Sequence, residues 1–391
     1  MEEPAVEYND EQRSLVAAVQ DFCRREAGSR EQRLALTDGG RENHSPELYR
    51  KMADLGWLGM ALPEEFGGGG AGMVDLCLFL ETTAKAMAPI GGFTTSIIVA
   101  AAYERFGSPE QKKVVLGGVA RGTIEAIAMS EPEAGSDVAN LSCRAERRGD
   151  EWVVNGQKTW CSNAHLAERI LLVARTSGRA GDHSGLTMFQ VPTTAAGLTV
   201  SGIDTMGGRE VNDLYFTDCA LPADAVVGTL DAGWRQLMAG LNLERLILAS
   251  LMLGTAQRAF DDVVDYVKGR RQFGRPIGSF QVLRHRLADL ATEIECARLL
   301  VYATAAQVDR APNTVLPRET SMAKLKATET ARRVTLDAMQ MMGGYGYATE
   351  FDMERLVRSS IVSTVYGGTS EIQRDIIAKT YGLHEVSRDS Q

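Results

Sequence analysis

The feature that most constrains the fold is a change of hydrophobic period a third of the way along the chain. From Ile124 to about Val227 the apolar runs are short, rich in Val, Thr and aromatics, and broken by turns. Trp152-Val153-Val154, Arg169 to Ala174, Leu186 to Val191, Leu198-Thr199-Val200 and Asp213 to Phe216 are such runs. They predict a small antiparallel β domain. The flanks are helical in texture. Asp10-Glu11-Gln12 opens a helix through Leu15, Val16, Val19 and Phe22, a single apolar stripe. Ser45-Pro46-Glu47 and Ser108-Pro109-Glu110 read as helix starts of the cap-plus-proline type. Met73 to Ala86 and Thr95 to Phe106 continue as helices, and Leu62 to Gly70 reads as a flexible loop. After Gly233, Leu237 to Val267, Val282 to Val308, Pro317 to Met342 and Thr369 to Thr380 predict four helices, hence a bundle. The expected organisation is an α-helical domain over 1–122, a β domain over 123–230 and a four-helix bundle over 231–391.

Composition removes several classes of function. A net charge of −9 argues against nucleic-acid binding, which needs a basic stripe. Cys23, Cys77, Cys143, Cys161, Cys219 and Cys296 are widely spread with no CxxC, which predicts reduced thiols rather than disulfides or zinc. The histidines show no metal-ligand spacing, so no metal is expected. The acidic start Met1-Glu2-Glu3-Pro4 lacks an apolar signal region, and no run of roughly 20 apolar residues stands out as a membrane span. The expectation is a cytoplasmic protein away from membranes.

Two stretches in the middle region carry the chemistry. Met129-Ser130-Glu131-Pro132-Glu133-Ala134-Gly135-Ser136-Asp137 ends a run of small and apolar residues. Its small residues let main-chain N–H groups approach a bulky anion, although its three carboxylates repel phosphate unless they point away. In Asn155-Gly156-Gln157-Lys158-Thr159-Trp160-Cys161-Ser162-Asn163, Asn-Gly predicts a hairpin. Trp160 and Ser162, two residues apart, then share one face, an aromatic wall with a polar tip suited to a flat heterocycle.

Together these stretches resemble the acyl-CoA dehydrogenase family in wording and order. The resemblance implies an all-α N-terminal domain, a middle antiparallel β-barrel and a C-terminal four-helix bundle. It also implies FAD, with Met129, Ser130, Gly135, Ser136, Trp160, Cys161 and Ser162 at the cofactor and Ser136 also at the substrate. Arg270, Gln272 and Phe273 in Gly269-Arg270-Arg271-Gln272-Phe273-Gly274, with Gln281, match positions that reach the FAD of a neighbouring subunit. A guanidinium beside a diphosphate is physically sensible. Gln340, Gly343 and Gly344 match the adenine end, and Thr369 and Glu371 match further cofactor contacts. A cofactor spanning two subunits implies a homo-oligomer, by resemblance a tetramer.

The sequence departs from the family in Tyr366-Gly367-Gly368-Thr369-Ser370-Glu371. Most members carry a glutamate at the position of Gly367, the base that removes the α-proton of the thioester. The Gly367 N–H survives the change, and in the family this amide and a flavin hydroxyl polarise the thioester carbonyl. Glu244 stands out as a replacement base. Its helical neighbours are Gly240, Leu241, Ile247 and Leu248, none of them cationic. Burial there raises a carboxylate's pKa, which suits a base acting near neutrality. In the isovaleryl-CoA and long-chain branches the base lies on this helix, in a context matched by Leu241-Asn242-Leu243-Glu244-Arg245. Asn242, Arg245, Tyr366 and Gly368 match substrate-contacting positions.

The expected function is α,β-dehydrogenation of an acyl thioester carried by CoA or an acyl carrier protein, with an electron-transfer flavoprotein accepting the electrons. The alternatives are a flavin-binding homologue acting as scaffold or sensor, an acyl thioester oxidase, or a γ,δ-desaturase. Gly367 and the small residues near it are expected to leave room for a branched or ring-bearing acyl group.

Overall fold

The computed structural model describes residues 8–312 and 314–383, and of Ala239, Leu241 and Asn242 the main chain alone. Helices α1 (Asp10–Ala27), α2 (Arg30–Leu36), α3 (Pro46–Asp54), α4 (Met73–Lys85), α5 (Gly91–Phe106) and α6 (Pro109–Ala120) come first. Strands β1 (Glu125–Ala128), β2 (Arg144–Arg148), β3 (Glu151–Ser162), β4 (Arg169–Arg175), β5 (Leu186–Pro192), β6 (Leu198–Thr205), β7 (Gly208–Pro222) and β8 (Val226–Val227) follow. Helix α7 (Gly233–Gly269) leads into a hairpin of β9 (Arg271–Gln272) and β10 (Arg275–Pro276), then α8 (Gln281–Arg310) and α9 (Pro317–Met342). The chain closes with α10 (Gly344–Tyr347), α11 (Met353–Ser363) and α12 (Ser370–Thr380). These elements pack into two compact units: Met1–Arg30 with Gly72–Ala88 and Asn242–Gln391, and Glu31–Ala71 with Pro89–Leu241.

In the first unit α9 lies at the centre, packed by α8, α11 and α12. Ala323, Ala327, Ala331, Val334 and Ala338 form its buried stripe and are small enough to let neighbouring helices close in. Helices α1 and α4 join this unit, and α4 is tied to α8 through Glu81, which accepts from Arg298 Nε (3.2 Å), Arg298 Nη2 (3.0 Å) and the Tyr302 hydroxyl (2.6 Å). The sequence reading missed α11, whose buried positions Met353, Leu356, Val357 and Ser360 span two turns. Helix α7 also corrects the expectation that no segment has the length and apolarity of a membrane span. Most of its apolar stretch is buried inside the protein, as in a core helix.

The second unit is built on an eight-stranded sheet in the order β6-β7-β3-β2-β4-β5-β8, with β1 alongside β4. The pairing is antiparallel as expected, except that β1 runs parallel to β4 and β2 meets β4 in a parallel bridge. All seven residues of β4 are buried. Each of its Ile170, Leu171, Leu172 and Val173 side chains contributes roughly 1.5–3 kcal/mol by leaving water.

Two local expectations are corrected. The Asn155-Gly156 pair lies inside the continuous strand β3, at a bulge where its register against β7 shifts. Gly156 has φ +141° there, and a Cβ would sit 2.7 Å from Cys143 Cα. The Asn155 side chain pairs with Asp218 on β7, accepting from its main-chain N–H at 2.8 Å. The true two-residue turn is Gly149-Asp150, between Arg148 and Glu151. The Leu62–Gly70 loop is tied down by main-chain hydrogen bonds from Gly68, Gly69 and Gly70 to Pro63, Gly59 and Leu62.

Candidate active site

In the second unit the loop after β1 is held by a buried ion pair. Lys158 Nζ donates to Glu131 Oε1 at 2.7 Å and to the Met129 carbonyl at 2.9 Å. The Glu131 carboxylate also accepts from Ser142 N (2.7 Å), Ser142 Oγ (2.7 Å) and Cys143 N (2.9 Å). Burial pushes the Glu131 carboxyl up, but Lys158 and the Ser142 donors outweigh it and hold it below the ordinary range. The loop's first acid therefore points into the protein. Glu131 and Ala134 exchange main-chain hydrogen bonds, closing a tight turn that leaves Gly135 and Ser136 exposed. Ser130 is half-buried, and its carbonyl accepts from Thr159 N at 3.0 Å, joining the two predicted stretches.

Trp160 follows at a second β3 bulge, between Lys158 and Cys161. It holds φ +59°, a left-handed conformation uncommon for a bulky residue, and stays 59% exposed. An indole kept outside the core in a strained backbone leaves a ring face open to a flat partner. Ser162 is half-buried beyond it. Cys161 faces the opposite way: its thiol is buried against the Ile127 carbonyl at 3.2 Å and burial pushes its pKa up to about 12. That side chain belongs to the core.

In the first unit, α7 presents Glu244 to the turn between α11 and α12. The carboxylate is half-buried and, among the described residues, makes no hydrogen bond or ion pair. Burial raises its pKa, opposed by the positive charges of Arg245 and Lys324. Gly367 lies beside it, with φ +61°. A Cβ at Gly367 would be 3.5 Å from Glu244 Oε1 and 2.3 Å from Leu248 Cδ1. Leu248, one turn after Glu244 on α7, therefore occupies the space a side chain at 367 would begin to fill.

The turn is pinned from beneath. Lys324 on α9 has no exposed surface, and its Nζ donates to the carbonyls of Ser363, Tyr366 and Gly368, each at 2.9 Å. The buried Gln373 on α12 donates to the Gly367 and Gly368 carbonyls at 3.0 and 3.1 Å. The Gly367 N–H takes no hydrogen bond among the described residues. Tyr366 and Gly368 flank it, half-buried. Thr369 caps α12, accepting from Ile372 N at 3.3 Å, and Glu371 is exposed in that helix's first turn. Arg245 is buried, and the Asn242 side chain lies outside the described residues.

A third group sits elsewhere on the first unit. Arg270, Gln272, Gly343 and Gly344 line one surface depression of about 500 Å³, together with Tyr266, Tyr345 and Glu350. Arg270 lies over the Tyr345 ring, 5.4 Å from its centroid. Phe273 tips the β9–β10 hairpin with φ +50° and is 91% exposed. Gln281 and Gln340 are exposed at the ends of α8 and α9.

Sequence reasoning missed Lys324, Gln373 and the role of Lys158. The signals were there: Lys324 stands on a face of Thr320, Ser321, Ala327 and Thr328, where a solvated lysine has no reason to be. Lys158 falls on the inward side of a strand.

Three family models match in order: "Acyl-CoA dehydrogenase, N-terminal domain" over residues 9–123, the middle domain over 126–219 and the C-terminal domain over 231–382. The chain is 34% identical to the mitochondrial isovaleryl-CoA dehydrogenase of Solanum tuberosum, over 95% of this chain and 90% of that protein. The crystal structure of an acyl-CoA dehydrogenase from Geobacillus kaustophilus superposes with a TM-score of 0.90 at 32% identity, covering 97% of this chain and all of that one (100%). A prolyl acyl carrier protein oxidase superposes at 0.89 with 28% identity, covering 96% of this chain and 100% of its own. The chain belongs to the acyl-CoA dehydrogenase family, the FAD-dependent oxidoreductases that act on CH–CH groups of acyl thioesters.

Proposed function

We propose that this protein α,β-dehydrogenates an acyl thioester with Glu244 as its base. The observation that carries the reading is the half-buried carboxylate, unpaired among the described residues, 3.5 Å from where a side chain at position 367 would begin. The base that most family members carry on the turn is thus replaced by one reaching the same place from α7. Burial keeps Glu244 more basic than an ordinary carboxylate, so proton abstraction becomes faster as pH rises through its titration. The Gly367 N–H polarises the thioester carbonyl, which acidifies the α-carbon.

The residues present fit an FAD. The strained, exposed Trp160 offers a ring face, the Ser130 to Ser136 loop offers small residues, and Arg270 brings a cation to a concave surface. Trp160, Ser162, Ser130 and Ser136 would hold the isoalloxazine end, while Arg270 and Gln272 would hold a neighbouring subunit's diphosphate in a tetramer. When bound, FAD supplies the acceptor for the hydride that leaves the β-carbon. An electron-transfer flavoprotein then takes the electrons. The carrier is CoA or an acyl carrier protein, and the likeness to a carrier-protein oxidase keeps the second in play. Glu244→Gln keeps the side chain's shape and removes its proton-accepting carboxylate. Anaerobic flavin reduction by a good substrate should fall at least the roughly 10²–10⁴-fold credited to a general base, with FAD content unchanged. Reduction at the wild-type rate would place the base elsewhere.

A further inference from the structure

The proposed chemistry needs one main-chain N–H aimed at the thioester carbonyl, and the turn that carries it has no regular secondary structure to fix it. Fixation comes from the Gln373 amide and from one buried cation, Lys324. The Tyr366–Gly367 peptide is trans, so its carbonyl and its N–H point in opposite directions. Lys324 takes the carbonyl side of that peptide. The Gly367 N–H is thereby directed away from α9 and, among the described residues, left without a partner. A hydrogen bond from an ammonium also draws electron density from the carbonyl, which strengthens the N–H of the same peptide as a donor.

We infer that Lys324 is a positioning residue for the reaction: its ammonium, bonded to the carbonyls of Ser363, Tyr366 and Gly368, aims and polarises the Gly367 N–H and holds positive charge beside Glu244. This rests on the reading of Glu244 and Gly367 given above. The charged groups acting on Lys324 are Glu244 and Arg245 from α7 and Glu371 from α12. Burial pulls the ammonium down to about 8; Glu244 and Glu371 oppose that shift and Arg245 adds to it. Above that pH a neutral amine keeps two N–H groups for three carbonyls and loses the charge. The same cation lowers the pKa of Glu244, so removing it moves the Glu244 titration to higher pH.

The test uses the full chain with FAD, in wild type, Lys324→Met, Lys324→Arg and Gln373→Met. The last loosens the same turn without changing charge. The first readout is the infrared carbonyl stretch of a bound, carbonyl-labelled thioester analogue that cannot be oxidised. The second is the pH profile of anaerobic flavin reduction. Lys324→Met should lose most of the carbonyl polarisation, slow reduction about tenfold or more, and move the acid limb of the profile upward; full removal of such a donor typically costs about 10²–10³. Gln373→Met should keep the acid limb in place. Wild type should lose polarisation and rate above about pH 8, and Lys324→Arg should not. Identical behaviour of Lys324→Met and Gln373→Met in both readouts would reduce Lys324 to a structural role. If Lys324→Met fails to fold, the wild-type titration decides: a carbonyl stretch constant across pH 8 overturns the inference. Glu244→Gln serves as the control that separates the two readings. Read well below pH 8, where Lys324 stays charged without Glu244, it should keep the polarised carbonyl while losing reduction, and if it still reduces flavin the base assignment fails while the Lys324 result stands.

Discussion

Placing a glutamate at Gly367, where most of the family has one, should destabilise this protein, and the structure sets the size of the effect. Position 367 holds φ +61°, a conformation that costs an L-residue roughly 1–2 kcal/mol. The new Cβ would lie 2.3 Å from Leu248 Cδ1, so that methyl must turn aside, and overpacking of this kind costs about 1–3 kcal/mol. The turn cannot relax freely, because Lys324 and Gln373 hold the carbonyls of Tyr366, Gly367 and Gly368. Gly367→Glu should therefore lose about 2–5 kcal/mol, the sum of those ranges. Leu248→Ala alone should lose about 2–5 kcal/mol as a buried truncation. Together they should lose less than the sum, with a coupling of about 1–3 kcal/mol, since one side chain fills what the other vacates. Urea unfolding of the four proteins measures this cycle. In a Glu244→Gln background the same two changes ask whether a carboxylate at 367 serves as base, read as the anaerobic rate of flavin reduction. Restoration should be poor with Leu248 present and better with alanine there. Strict additivity, or a Gly367→Glu protein as stable as wild type, would refute the claim that Leu248 and the left-handed turn exclude a side chain at 367.

Other expectations follow from single observations. Lys158→Met leaves Glu131 buried without its cation and should cost about 3–5 kcal/mol. Because Glu131 is held below its ordinary value of 4.5, its stabilisation is present above that pH and lost on acidification, so the variant should show a flatter acid arm in Tm against pH. Arg270→Ala should weaken FAD binding while leaving the subunit's unfolding midpoint near wild type, since the residue is exposed; unchanged affinity by titration would remove Arg270 from the cofactor site. Gly156→Ala forces a Cβ within 2.7 Å of Cys143 Cα at φ +141° and should lose at least about 1–3 kcal/mol by thermal unfolding.

The helices were legible where a cap and an apolar stripe coincided. Ser45-Pro46 and Ser108-Pro109 start α3 and α6, and the Ser108–Gln111 pair forms a capping box. Helix α11 was missed because it follows Gly343 and Gly344 closely and carries Arg355 and Arg358 among its apolar positions. Asn155-Gly156 misled because a left-handed glycine serves a bulge as well as a turn, and only the strand opposite tells them apart. In the site, Glu244 stood out in the sequence because a carboxylate on an apolar helical face is costly without a use, and the structure sets it half-buried beside Gly367. Lys324 and Gln373 were not, since their partners are main-chain carbonyls, which carry no residue identity for a sequence to show.

The pairing of Glu244 with Gly367 has a physical logic beyond substitution. A residue that must present its N–H from a left-handed turn is best a glycine, and a residue that must supply a base cannot be one. A glutamate at 367 would meet both demands only by bearing the strain of the first. On the proposed reading the demands are separated: α7 would supply the carboxylate, and the turn only its amide. Leu248 then fills the volume that a Cβ at 367 would take. On the proposed reading this makes Leu248 the first side chain to vary when substrate range is measured.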